Sequence, residues 1–260
     1  MLERVRKENP LVHCMTNVVV TNFTANGLLA LGASPVMAYA EEEVADLASV
    51  AGALLLNIGT LSKAQIDQMI VAGQAANRAG VPVVLDPVGA GATVFRTESS
   101  KRILDEVHIS VLRGNAGEIA SLVGVEAKVK GVDGSMEGDK LELAKRAATQ
   151  FQCVCVVTGE VDVVTDGVRA QAIRNGHPWM TKVVGTGCLL GGVIGAFIAA
   201  NRENILEATT SAVTYYGIAG EQAYEKTNSL GIGAFQQAFI NELHLLTGQQ
   251  VDQLKRTETF

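Results

Sequence analysis

Four short apolar runs, each halted by a polar or glycine residue, constrain this chain more than any other feature. Leu54-Leu-Leu-Asn-Ile58 stops at Gly59, and Val81-Pro-Val-Val-Leu85 stops at Asp86-Pro87. Ile109 to Leu112 stops at Arg113-Gly114, and Cys153 to Val157 stops at Thr158-Gly159. Read as strands, these runs are apolar on both faces, which suits a sheet covered on both sides. Helical patterns lie between them. Ser62-Lys-Ala-Gln65 reads as a capping box opening a helix to about Ala79, and Asn115-Ala-Gly-Glu118 as an asparagine cap with glutamate at the third helical position. The alternation predicts an α/β fold with a largely parallel central sheet and helices on both faces. Val161 to Thr165 and Arg169 to Ile173 flank Asp166-Gly167, a type I′ hairpin signal that puts antiparallel strands at one edge. Beyond residue 188 the pattern is helical almost to the end, broken at Asn204 and at Gly231 to Gly233.

No low-complexity linker or repeat divides the 260 residues, and 48% hydrophobic content supplies a sizeable core, so one domain over 1–260 is expected. Lys128 to Asp139 is polar and carries three glycines, as a lid or an ordinary solvated loop does. The net charge is −6, and no basic cluster exceeds Arg4-Val-Arg6-Lys7. With only 5% aromatic residues, this balance speaks against nucleic acid and anionic membranes as partners. The run Leu189 to Ala200 falls short of the about 20 residues that cross a bilayer. The charged start Met1 to Glu8 lacks the apolar core of a secretory signal. Cys14, Cys153, Cys155 and Cys188 show neither a CxxC pair nor zinc spacing. Cys153 and Cys155, two apart in a strand, face the same way as small core residues. A reducing cytoplasm is the expected location.

Chemistry-bearing residues gather at the carboxyl ends of the runs, where open α/β sheets place their ligands. Asp86 stands on a proline-stiffened turn with glycines behind it, and Glu118 is a second carboxylate; together they suit magnesium, which takes one or two carboxylates plus phosphate oxygens. The plainer readings are a turn former for Asp86 and a capping partner for Glu118, which can serve both roles. Arg113 suits a phosphate, or a surface ion pair. Thr158 suits a nucleotide hydrogen bond, or simply ends its strand. Gly185-Thr-Gly187-Cys188 opens the apolar stretch that follows, and a helix start there aims free N–H groups at an anion. Cys188 falls in that first turn, where a thiol is expected to shift toward thiolate, the alternative being an inert buried cysteine. There is no GxxxxGK[ST], and the loose dinucleotide-like spacing from Gly185 to Gly191 has no following strand to complete it. His13, His108, His177 and His244 are scattered, with no acid paired to them nearby in sequence.

In their order and spacing these segments resemble the hydroxyethylthiazole kinase family, a branch of the ribokinase-like superfamily. The resemblance rests on Thr16-Asn17, Asn22 to Met37, Asn57-Ile-Gly-Thr60, Leu85 to Gly91, Arg113 to Glu118, Thr158-Gly-Glu160 and Gly185 to Cys188, nearly the whole chain. It implies a ribokinase-like fold and ATP-dependent phosphorylation of the hydroxyl of 4-methyl-5-(2-hydroxyethyl)thiazole, a thiamine salvage step. It also implies Met37, Gly185 and Asn17 at the thiazole alcohol, and Arg113, Thr158 and Gly187 at ATP. Asp86 and Glu118 would serve Mg²⁺, and Cys188 would be the base where most of the superfamily carries aspartate. A homotrimer with sites between subunits follows from the resemblance alone. Met37 is otherwise plain core filling. A kinase for the pyrimidine half of thiamine, a nucleotide-dependent dehydratase of damaged nicotinamide cofactors and a silent ATP-binding module remain open alternatives.

Overall fold

A computed structural model describes residues 1–125 and 137–260. The polar segment from Lys128 to Asp139, a lid candidate by composition, thus lies outside the described residues up to 136. Its last residues open a helix.

Among the described residues nine strands form one sheet. They are β1 Leu11–Met15, β2 Ser34–Val36, β3 Ala53–Asn57, β4 Val83–Asp86, β5 Val111–Asn115, β6 Val154–Thr158, β7 Asp162–Thr165, β8 Ala170–Ile173 and β9 Thr257–Thr259. Their order is β2-β1-β3-β4-β5-β6-β7-β8-β9. Pairing is parallel from β2 to β6 and antiparallel from β6 to β9, so the expected parallel sheet with an antiparallel edge is present. The helices are α1 Leu2–Glu8, α2 Thr21–Leu31, α3 Val44–Val50, α4 Lys63–Arg78, α5 Val94–Glu106, α6 Ala116–Leu122, α7 Glu137–Phe151, α8 Thr186–Ala200, α9 Ile205–Thr227, α10 Ile232–Leu245 and α11 Gly248–Leu254.

The two-residue period of the strands splits the core in two. Val12, Cys14, Leu55, Val84, Val111 and Val156 point to the face covered by α1, α2 and α8 to α10. Leu54, Leu56, Leu85, Leu112, Cys153, Cys155 and Val157 point to the face under α3 to α7. Cys153 and Cys155 therefore do share one side as buried filling. Helix α8 carries no charged residue and is buried almost throughout, as a helix that is apolar all round must be. It packs on β1, β3 and β4 and also contacts α2 and α9, which themselves reach β2 and β6 to β8.

Two expectations need correction. The run from Ile109 starts and ends later as a strand, because Arg113, Gly114 and Asn115 extend the ladder by pairing with Val156, Val157 and Thr158. The β7–β8 connection is not a two-residue type I′ turn. It is a four-residue loop from Asp166 to Arg169 in which Gly167 alone has a positive φ, of 94°, and the Asp166 carboxylate accepts from the Val168 and Arg169 amides. Beyond residue 188 the chain is helical as far as Leu254, as expected, and the short β9 then adds to β8. At the start of α4, Ser62 accepts from Gln65 N, whereas Asn115 and Glu118 make the full reciprocal box at α6.

Candidate active site

The strand ends of β1, β3, β4, β5 and β6 meet the N-terminus of α8, and a line of polar side chains crosses the sheet there. Asn17 Nδ2 donates to Asn57 Oδ1 at 2.9 Å and lies 3.3 Å from the Cys188 sulfur. Asn57 Nδ2 donates to Asp86 Oδ2 at 2.8 Å. Arg113 Nη1 reaches the same oxygen at 3.4 Å, and its Nη2 donates to Thr158 Oγ1 at 3.1 Å. The parallel register makes this possible by setting Asn57 beside Asp86, and Asn115 beside Thr158. Asn17, Asp86, Arg113, Thr158, Gly187 and Cys188, far apart in sequence, are brought together.

Asp86 is fully buried, not placed on the rim as a turn residue after a strand is expected to be. Burial pushes its carboxyl up from 3.8 to about 6, helped by the nearby Glu118 charge and opposed by Arg113 and the Asn57 hydrogen bond. Its Oδ1 has no hydrogen-bond partner. An orphaned buried carboxylate oxygen is costly unless something fills it, and a cation or its water does so. Glu118 lies nearby at the start of α6. Its Oε1 accepts from Gly89 N and its Oε2 from Asn115 N, both at 2.8 Å, so it pins the β4 loop to the α6 cap. Among the described residues no group of three or more histidine, cysteine, aspartate or glutamate side chains could cage a metal. Asp86 and Glu118 fit an ion such as magnesium, which keeps waters and shares phosphate oxygens.

Gly185 precedes α8 with φ 96°, and a Cβ there would meet Val20 Cγ1 and Phe23 Cδ1 at 3.0 Å. No side chain caps the helix, so its first amides face outward. Thr186 anchors the turn by donating to Met180 O at 2.7 Å, and Tyr216 holds the Thr186 carbonyl at 2.6 Å. A Cβ on Gly187 would lie 3.4 Å from both terminal nitrogens of Arg113. The positive end of α8 and a guanidinium therefore converge on one space, which is anion-binding geometry.

Cys188 is the third residue of α8 and half-buried, and here an expectation fails. Its thiol is raised above its ordinary value, first by burial and then by the Asp86 charge; the Asn57 and Asn17 amides and Arg113 pull the other way without prevailing. Burial, the largest cause, disfavours the charged thiolate even though the residue stands in the first turn of α8. Met37 follows β2 at the sheet edge, partly buried against the α8 core, and takes no part in the polar line. A cleft of about 390 Å³ lies elsewhere, between Asn77, His108 and Arg202.

Three residues of the site escape sequence reasoning. Asn57 is the hub of the line, with Oδ1 also accepting from Gly59 N at 3.0 Å. Its signal was a lone amide inside an otherwise apolar run. Asp162, at the start of β7, fixes the turn after Thr158 by accepting from Gly159 N at 2.8 Å, and burial raises it to about 6. Arg96 bridges two loops through backbone carbonyls that no sequence pattern marks.

Comparison with known proteins agrees with this geometry. The profile of the hydroxyethylthiazole kinase family matches residues 2–249. A hydroxyethylthiazole kinase of Halalkalibacterium halodurans is 63% identical over 99% of this chain and 98% of its own length. One of Shouchella clausii is 59% identical over 99% of each. A hydroxyethylthiazole kinase structure from Pyrococcus horikoshii superposes with a TM-score of 0.91 at 44% identity, covering 100% of this chain and 97% of its own.

Proposed function

Since the chain belongs to the hydroxyethylthiazole kinase family, we propose that it transfers the γ-phosphoryl group of ATP to the hydroxyl of 4-methyl-5-(2-hydroxyethyl)thiazole, in thiamine salvage. The observation that carries this reading is the convergence of the uncapped α8 N-terminus and the Arg113 guanidinium beside Cys188. Phosphoryl transfer passes through a loose transition state, so positioned positive charge supplies most of the catalysis.

The α8 amides and Arg113 hold phosphate oxygens, with Thr158 orienting Arg113 from the nucleotide side. Asn17 and Cys188 face the alcohol, with the Gly185 turn beside it and Met37 lining the thiazole. The alcohol oxygen bonds to the γ-phosphorus as the bond to the β,γ-bridging oxygen breaks, and ADP leaves. The raised thiol is neutral in the free enzyme, so Cys188 first orients the hydroxyl by hydrogen bonding and takes its proton late. Mg²⁺ held by Asp86, and by Glu118 through water, would neutralise the transferring phosphate and offset the Asp86 charge that holds Cys188 up. Exposed Val18, Val19 and Val184, close in sequence to Asn17 and Gly185, support a homotrimer that covers the site between subunits. No helix of the described residues is long and apolar enough to cross a membrane, which accords with a cytoplasmic enzyme.

The test is ADP release with ATP, Mg²⁺ and the thiazole alcohol, with the product identified by mass. Thiazole phosphate formed in equal amount to ADP supports the reading. ADP without any phosphorylated alcohol, or preference for the pyrimidine alcohol, contradicts it.

A further inference from the structure

Arg96 is the third residue of α5, just after the Thr93 cap, whose side chain accepts from Arg96 N at 3.2 Å. A cation in the first turn opposes the helix dipole, so this placement is unfavourable unless the guanidinium finds acceptors elsewhere. It finds three, all backbone. Nη1 donates to Ile58 O at 3.1 Å and to Val88 O at 2.7 Å, and Nη2 donates to Gly59 O at 2.9 Å. Ile58 and Gly59 follow β3, and Val88 follows β4. One side chain thus joins two loops just beyond the last rung of the ladder, where Ile58 N donates to Asp86 O at 3.2 Å.

Each loop abuts one half of the site. On the β3 side, a Cβ at Gly59 would lie 2.6 Å from Asn17 Nδ2, so this backbone is the wall against which Asn17 rests. The neighbouring Thr60 Oγ1 accepts from Val18 N at 3.2 Å, tying the β1 loop to the same wall. Asn17 is in turn 3.3 Å from the Cys188 sulfur. On the β4 side, Arg96 Cδ packs 3.0 Å from where a Gly89 Cβ would be, and the Gly89 amide donates to Glu118. Val88 is two residues from Asp86. The fork geometry of a guanidinium spans the two loops, which the single nitrogen of lysine cannot do in the same way.

We propose that Arg96 is a positioning residue that sets the distance between the alcohol side of the site, Asn17 and Cys188, and its carboxylate side, Asp86 and Glu118. This rests on the site assignment above. Without the latch the loops separate, the alcohol oxygen no longer lines up with the γ-phosphorus, and water takes its place as acceptor. ATP then yields ADP and inorganic phosphate in place of ADP and the phosphorylated alcohol.

The experiment measures alcohol phosphorylation and ATP hydrolysis together in Arg96→Ala and Arg96→Lys, at a temperature where circular dichroism shows both folded. In Arg96→Ala phosphorylation should fall roughly a hundredfold, the scale of a small misplacement of reacting groups. The KM for ATP should stay within a few-fold, and the ratio of phosphorylation to hydrolysis should fall by at least about tenfold. Arg96→Lys should be intermediate, and millimolar guanidinium chloride should restore part of the ratio in Arg96→Ala. A purely structural role lowers the amount of active enzyme, which scales both reactions and leaves their ratio at the wild-type value; that result overturns the proposal. If Arg96→Ala does not fold, a wild-type ratio in Arg96→Lys does the same. Asp86→Asn serves as the control. Near-normal turnover in it removes the site assignment and the latch with it, whereas a dead Asp86→Asn beside an unchanged ratio in the Arg96 variants removes the latch alone.

Discussion

Asp86 offers a test in which stability and activity move in opposite directions. Burial raises its carboxyl from 3.8 to about 6 in the fold, despite the neighbouring Arg113. A carboxyl whose folded value lies above its unfolded one binds a proton more readily when folded. It therefore carries no penalty below about pH 4, and its full penalty above about pH 6. The interval between the two values corresponds to about 3 kcal/mol at neutral pH, undiminished by solvent because the side chain is fully buried. Asp86→Asn keeps the shape and imitates the neutral form. Its carbonyl oxygen can take the place of Oδ2, which accepts from Asn57 and Arg113, and its NH₂ replaces the partnerless Oδ1. Urea unfolding at matched protein concentration should show the variant more stable than wild type by up to about 3 kcal/mol at pH 7, the gap closing by pH 4. Turnover should fall by roughly a hundredfold or more, since a preorganised charge is lost. A variant no more stable than wild type at pH 7, or one whose advantage persists unchanged at pH 4, would refute a buried, raised Asp86 carboxyl.

Other outcomes follow from the same geometry. Gly185→Ala puts a side chain at φ 96° against Val20 and Phe23, and should cost about 1–2 kcal/mol in a thermal melt, with a larger loss of turnover as the α8 amides shift. Asn57→Ala strips partners from Asn17, Gly59 and Asp86, and should destabilise by about 1–3 kcal/mol per group left unsatisfied. It should also slow iodoacetamide labelling of Cys188, whose thiol the amides help hold down; Cys14, Cys153 and Cys155 are buried, so the label reads Cys188. Sedimentation at micromolar concentration should give a trimer, and a stable monomer would exclude sites shared between subunits.

The sheet and most of the site were legible because strand ends announce themselves: an apolar run that halts at Asp86, Arg113 or Thr158 marks both the strand and the crevice beyond it. The Asn115–Glu118 cap was legible because it is local in sequence. What escaped depends on pairing across the sheet. Asn57 matters because its register sets it beside Asp86, and a single strand does not reveal its neighbour. The three carbonyls that hold Arg96 leave no trace in side-chain type. β1 holds a histidine among its apolar residues, β2 is three residues with a proline, and β9 is exposed and polar, so none presents a continuous apolar run. The Cys188 thiol was placed correctly and assigned the wrong direction, because the helix terminus is written in the local sequence while burial and the Asp86 charge are not.

Cys188 is the centre of the proposed chemistry, and the deciding measurement is kcat and KM for Cys188→Ser and Cys188→Asp with the thiazole alcohol. If the thiol orients the alcohol and takes its proton, serine, which ionises far less readily, should lower kcat by roughly the 10²–10⁴-fold of a lost general base. KM should change little, because Gly185, Gly187 and the α8 amides remain. Aspartate should retain activity, since a carboxylate at a helix N-terminus is electrostatically favoured and the Asn17 and Asn57 amides can donate to it. Full activity in the serine variant, with an inactive or unfolded aspartate variant, would contradict the account and leave Cys188 a packing residue beside the anion site.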